Sequence, residues 1–141
     1  MRYVLDSNVA LKWVLAEPDS PQAQRLRGGF QKQNYELMAP DVFPVEVAHA
    51  LAKAERRNLI SPRQGMAFLM DVLSTPPRLI SYLPLLPRAF TIATQARIGV
   101  YDCLYVALAE REGCELLTAD DRLVRVLRPL FPSLTPLSSL P

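Results

Sequence analysis

Short apolar runs of strand character alternate with longer stretches of helical periodicity, and this alternation limits the fold more than any other feature of the chain. The runs "RYVLD" (2–6), "ELMA" (36–39), "RLISYL" (78–83) and "CELLT" (114–118) are each bounded by polar, Pro or Gly residues and followed by a helical pattern. The tail "FPSLTPLSSLP" has room for a brief edge strand over 134–137. Ser7 or Asn8 is placed to cap a helix over about 9–16. A polar helix over about 22–33 carries the weakening pair Gly28-Gly29. Further helices are expected over about 42–57, after Ser61 with Pro62 at the first helical position, over about 87–97 with Gly99 as its end, in "YDCLYVALAEREG" with Gly113 as its stop, and in "ADDRLVRVLRPL". Strands alternating with helices imply an α/β fold: a mainly parallel sheet of four to five strands, covered on both faces. At 141 residues the chain is expected to form a single domain over 1–141.

A formal charge of +2 is too small to argue for nucleic-acid binding, so any basic footprint must be local. Half the residues are hydrophobic, which leans towards some apolar surface covered by a partner. Cys103 and Cys114 lie in apolar contexts with no CxxC pair and one histidine in the chain, so reduced thiols are expected and a structural zinc site lacks ligands. No apolar run approaches membrane-spanning length and no secretory signal opens the chain; a soluble, cytoplasmic protein is the expectation.

In parallel sheets, ligands bind outside the carboxyl ends of the strands, where strand order reverses. Asp6 ends the first strand and Asp120 follows the "LLT" strand, so both belong on that edge. Singly, Asp6 reads equally as a helix cap or a ligand, and Asp102 as a favourable charge at a helix start. One of Asp120 and Asp121 is expected to cap the following helix. Glu46 lies one turn into a helix whose apolar stripe is Val45, Ala48 and Leu51 or Ala52, while Glu46, His49, Lys53 and Arg56 recur on the polar side. The acids gain meaning collectively. Four carboxylates from distant segments on one sheet edge repel one another, and a divalent cation offsets that repulsion. Hard oxygen donors with no cysteine select Mg²⁺ or Mn²⁺ over Zn²⁺. Such a cation acidifies bound water and neutralises charge on a phosphoryl transition state, which makes a phosphodiester the natural substrate.

The segments "YVLDSNVALKWVLAE", "APDVFPVEVAHAL" and "YDCLYVALAEREGCELLTADDRL", in that order, resemble the PIN-domain family, and within it the VapC-type toxins of toxin–antitoxin modules. The resemblance implies a three-layer α/β/α fold and a metal-dependent endoribonuclease whose acidic quartet falls on Asp6, Glu46, Asp102 and Asp120. It puts the hydroxyl and amide behind the first aspartate on Ser7 and Asn8, and the threonine before the last acid on Thr118. Two positions depart from the family pattern: His49, where many relatives have Asn, and Asp121, where a basic residue is common.

Asp6 and Asp102 are then expected as the principal ligands, Glu46 as ligand or base through water, and Asp120 as the second-metal or water-orienting carboxylate. By analogy, cleavage leaves a 5′-phosphate and a 3′-hydroxyl. Lys12, Lys53, Arg56, Arg57 and Arg122 flank the acidic edge as phosphate contacts. The resemblance also implies a cognate VapB-like antitoxin and a homodimer. The alternative is a non-catalytic PIN-like module that binds RNA or protein. A phospho-acceptor receiver domain is disfavoured, since "RLISYL" ends without an aspartate and no lysine follows Lys53. A haloacid-type phosphatase needs a second aspartate where Asn8 stands.

Overall fold

The computed structural model describes all 141 residues. Five parallel strands, β1 (Arg2–Leu5), β2 (Glu36–Pro40), β3 (Arg78–Ile80), β4 (Glu115–Thr118) and β5 (Leu134–Pro136), form one sheet in the order β3-β2-β1-β4-β5. Seven helices complete the α/β/α architecture: α1 (Ser7–Leu11), α2 (Ser20–Gln31), α3 (Phe43–Arg56), α4 (Pro62–Leu73), α5 (Leu86–Ala96), α6 (Val100–Glu112) and α7 (Asp121–Leu127). The central strands are continuous apolar runs because both faces of the sheet are covered; Val4, Leu5, Leu37, Met38, Leu116 and Leu117 are all buried. Strand β1 lies in the middle, with Tyr3 registered against Leu37 of β2 on one side and Glu115 of β4 on the other. The order reverses between β1 and β4. That reversal opens the sheet's carboxyl edge at Asp6.

Helix α6 packs over β1, β2 and β4 and is itself covered by α5. Every residue from Cys103 to Ala109 is therefore buried, and the helix is apolar around its whole circumference. Only its two ends reach solvent, Tyr101 in the first turn and Glu110 and Arg111 in the last. Tyr101, which helical spacing puts on one face with Leu104, Tyr105 and Leu108, is 58% exposed while those three are buried.

Several boundaries differ from expectation for local reasons. Helix α1 starts at Ser7 because Asp6, in extended conformation, takes the cap position expected of Ser7 or Asn8, and it ends at Leu11 rather than Ala16. Helix α2 runs through Gly28-Gly29; Gly29 is required there because a Cβ would collide with the Tyr35 hydroxyl, which donates to the Leu26 carbonyl. The buried stripe of α3 is Phe43, Val47, Leu51 and Ala54, so Val45 and Ala52 face solvent. Strand β3 stops at Ile80, and Leu83–Leu85 form a 3₁₀ turn into α5. Arg97, in left-handed conformation with φ 56°, ends α5, and Gly99 instead precedes α6 as its N-cap. Two signals hold as read: Ser61 and Gln64 make a reciprocal capping box around Pro62, and Gly113 closes α6 with φ 62°. Both cysteines are free, Cys103 buried and Cys114 half-buried. No helix is long and apolar enough to cross a membrane.

Candidate active site

At the reversal point the ladder continues one residue past β1, where the Asp6 N–H donates to the Leu117 carbonyl at 3.0 Å. This holds the Asp6 side chain at the sheet edge with 3% of its surface exposed. One carboxylate oxygen, Oδ1, accepts from the Asn8 N–H at 3.4 Å and caps α1. The other, Oδ2, accepts from the Thr118 hydroxyl at 2.9 Å. Thr118 Oγ1 in turn accepts from the Asp120 N–H at 3.1 Å and from Asn8 Nδ2 at 3.3 Å, while Asn8 Oδ1 accepts from the Ala119 N–H at 2.9 Å. Asp120 caps α7 by accepting from the Leu123 N–H at 3.0 Å. Fully buried Thr118 and the Asn8 amide thus tie the ends of β1 and β4 together and fix the bases of two carboxylates.

Glu46 enters from α3 and Asp102 from the first turn of α6. The buried Tyr105 hydroxyl, one turn beyond Asp102, donates to Glu46 Oε1 at 2.6 Å. Burial, then the charge of Asp102, push the Asp6 carboxyl up to about 7, with Glu46 adding to the rise and Thr118 opposing it. Glu46 is also raised, chiefly by burial and further by Asp102, against hydrogen bonds from Tyr105 and Ser7. Asp102 is raised by burial and by Asp120. Tyr105 is raised by burial and by the charges of Glu46 and Asp6. These pairings arrange the acids as a row with Glu46 at one end, Asp6 and Asp102 in the middle and Asp120 at the other end. A row of this kind holds fewer charges at neutral pH than it has carboxylates.

The convergence expected of the four acids is therefore electrostatic; no three His, Cys, Asp or Glu side chains stand close enough together to hold one metal ion. Asp121, the first residue of α7, is exposed. His49 lies one turn beyond Glu46 and is exposed on the lining of the adjoining cleft. Of the expected phosphate contacts, Arg122 stands beside Asp102 and Asp120. Lys12 is engaged elsewhere, donating to the Pro18 carbonyl at 2.8 Å and pairing with Glu17 at 3.6 Å. Helix α3 leads away from the edge, so Lys53, Arg56 and Arg57 lie about 10 Å or more further along it than Glu46.

Two residues at the site escaped the sequence reading. Tyr105 lies inside the apolar run of the "YDCLYVALAEREG" helix, yet a buried phenol needs a partner for its O–H, and that need was the available signal. Arg97, whose side chain lines the cleft beside Asp102 and Asp120, carried no signal, since its place depends on the left-handed turn between α5 and α6.

A family model described as PIN domain matches residues 3–128. Ribonuclease VapC12 of Mycobacterium tuberculosis is 36% identical over 123 residues, 86% of this chain and 89% of that protein. Ribonuclease VapC3 of Pyrobaculum aerophilum is 34% identical over 136 residues, 95% of this chain and 98% of that protein. The crystal structure of PAE2754 from Pyrobaculum aerophilum superposes with a TM-score of 0.72 at 18% identity, covering 99% of this chain and 94% of that one. That of VapBC2 from Rickettsia felis, bound to a DNA fragment from their promoter, gives 0.65 at 19% identity over 96% and 97%. The structural likenesses speak for the fold; the family match and the sequence relatives, spanning most of the chain, go further: this chain belongs to the PIN-domain family.

Proposed function

We propose that the protein is a divalent-metal-dependent endoribonuclease, the toxin of a toxin–antitoxin pair. The observation that carries this reading is the row of four acids at the sheet's carboxyl edge, three of them with raised pKa values and each coupled to a neighbour in the row. The relatives named as VapC ribonucleases support the activity. The structure titled as VapBC2 supports an antitoxin partner.

The donor chemistry fits a hard cation. Carboxylate, hydroxyl and amide oxygens surround the site with no cysteine sulfur among them, the combination that suits Mg²⁺ or Mn²⁺. The candidate ligands are Asp6, Glu46, Asp102 and Asp120; no three of them stand close enough here to share one ion, so binding a cation would have to draw them together. When bound, such an ion supplies Lewis-acid stabilisation and a more acidic water. The chain's own residues do the rest. Thr118 holds the Asp6 carboxylate and the Asp120 N–H, Asn8 holds the Ala119 N–H, and Tyr105 orients Glu46, the group placed to take a proton from water. Assembly of two copies into a homodimer belongs to the same reading.

The test is RNA cleavage by the purified, antitoxin-free protein with Mg²⁺ or Mn²⁺, beside Asp6→Asn and Asp102→Asn. Cleavage is expected to fall on the order of a hundredfold or more in each variant. Undiminished cleavage in both removes the assigned site. A folded wild type that binds RNA and cuts none of a mixed RNA pool points to the non-catalytic module instead.

A further inference from the structure

The two ends of the acidic row open into clefts of different character. At the Glu46 end lies a cleft of about 460 Å³ whose apolar wall is Leu11, Val45, Ala50 and Tyr101. Val45 is 70% and Tyr101 58% exposed, and no lysine or arginine lines the cleft. At the Asp120 end, a smaller cleft of about 90 Å³ is lined by Arg97 and Arg122 together with Asp102 and Asp120. Neither arginine joins any ion pair of the protein.

On the nuclease reading above, we propose that Tyr101 is the stacking platform for the base next to the cut, and that the RNA backbone enters from the Arg97–Arg122 side. Single-stranded RNA alternates a charged phosphate with a flat base of apolar face, and proteins read it by stacking bases on aromatic side chains. The larger cleft offers a phosphate no lysine or arginine, only the His49 imidazole beside the Glu46 carboxylate and an apolar wall, so it suits the base. The smaller cleft offers two unpaired guanidinium groups, so it suits the backbone. Tyr101 and Asp102 are adjacent at the start of α6, so a nucleotide whose phosphate reaches Asp102 has its base in the neighbourhood of Tyr101. The ring stays at the surface because the helix behind it is packed on every side from Cys103 to Ala109. The strand thus crosses the acids in one sense, backbone first past the arginines and base onto the tyrosine.

The experiment uses a labelled single-stranded RNA with one mapped cut site and an abasic nucleotide placed at each position in turn. For the wild type, one abasic position next to the cut is expected to raise KM about tenfold. Tyr101→Ala is expected to raise KM on the intact RNA by a similar factor and to become insensitive to that abasic position, the signature of a direct pair. Tyr101→Phe, which keeps the ring face, restores most of the loss. Arg97→Gln raises KM on every RNA alike, since a phosphate contact carries no base information. Unchanged KM and retained abasic sensitivity in Tyr101→Ala overturn the proposal. So does a Tyr101→Ala protein that loses only a co-purifying protein partner. Binding of the same RNAs in chelator, followed by anisotropy, separates the two readings. Abasic-sensitive, Tyr101-dependent binding without cleavage supports the platform and counts against the nuclease; cleavage without such dependence does the reverse.

Discussion

Asp6 and Asp120 each cap a helix while presenting a carboxylate at the sheet's carboxyl edge, so the cap reading of Asp6 holds and leaves room for the ligand role proposed above. The cap uses one oxygen, and burial beneath Thr118 occupies the other. Asn is as good a cap as Asp, so replacing either residue by Asn removes charge while keeping the helix start. This allows a clean test of the electrostatics. Asp6 is raised from 3.8 to about 7, so the folded protein retains a proton that the unfolded chain gives up near pH 4. The associated stability is full below that point and is lost as pH rises through about 7. In chelator, the urea midpoint is expected to fall between about pH 5 and about pH 8, and Asp6→Asn is expected to flatten that fall and to be the more stable protein at the upper end. A wild-type midpoint that rises over this range would contradict it. Tyr105 shows where residue-level reading stopped: its partner Glu46 is 59 positions away, so no local pattern reveals the contact.

At the scale of elements, most helices and all five strands could be read from periodicity and caps, because Ser61, Pro62, Gly113 and the strand-ending Asp6 act through their immediate neighbours. The failures came where the surroundings decide. Helix α6 is buried on every side, so its pattern has no polar face from which to infer the direction of Tyr101, Asp102 or Tyr105. The stripe of α3 was read one step out of phase, since Val45 lines the cleft instead of the core. The break after α5 was assigned to glycine because left-handed backbone favours it, yet Arg97 occupies that conformation. The packing around α6 predicts that Leu108→Ala, which opens a cavity at a fully buried position of the core, costs about 2–5 kcal/mol of folding free energy. Urea denaturation checks this. A cost below about 1 kcal/mol would mean that the helix is less tightly enclosed than its burial indicates.

For the whole molecule, the sequence placed Asp6 and Asp120 on one edge without determining how far apart they would lie. The strand order does that, since only the pairing of β1 with β4 puts their ends side by side. A cation shared by the row would bind the native state alone and raise its stability by mass action. The thermal midpoint is expected to rise by several degrees with saturating Mn²⁺, more at about pH 8 than at about pH 6, because at the lower pH protons compete for the same carboxylates. Glu46→Gln should shrink the rise. Chelator alone should leave the circular dichroism unchanged, as the apolar core, not an ion, carries the fold.

The pairing of β1 with β4 has a consequence for the order of synthesis. The strand bearing Asp6 is synthesised well before β4, the strand it needs as neighbour, and the Thr118–Asp6 hydrogen bond closes a separation of 112 residues. A chain interrupted anywhere before Thr118 lacks part of the acidic row and the threonine that organises it. A chain that ends before β4 therefore carries no assembled centre, and the proposed activity waits on the pairing of β1 with β4.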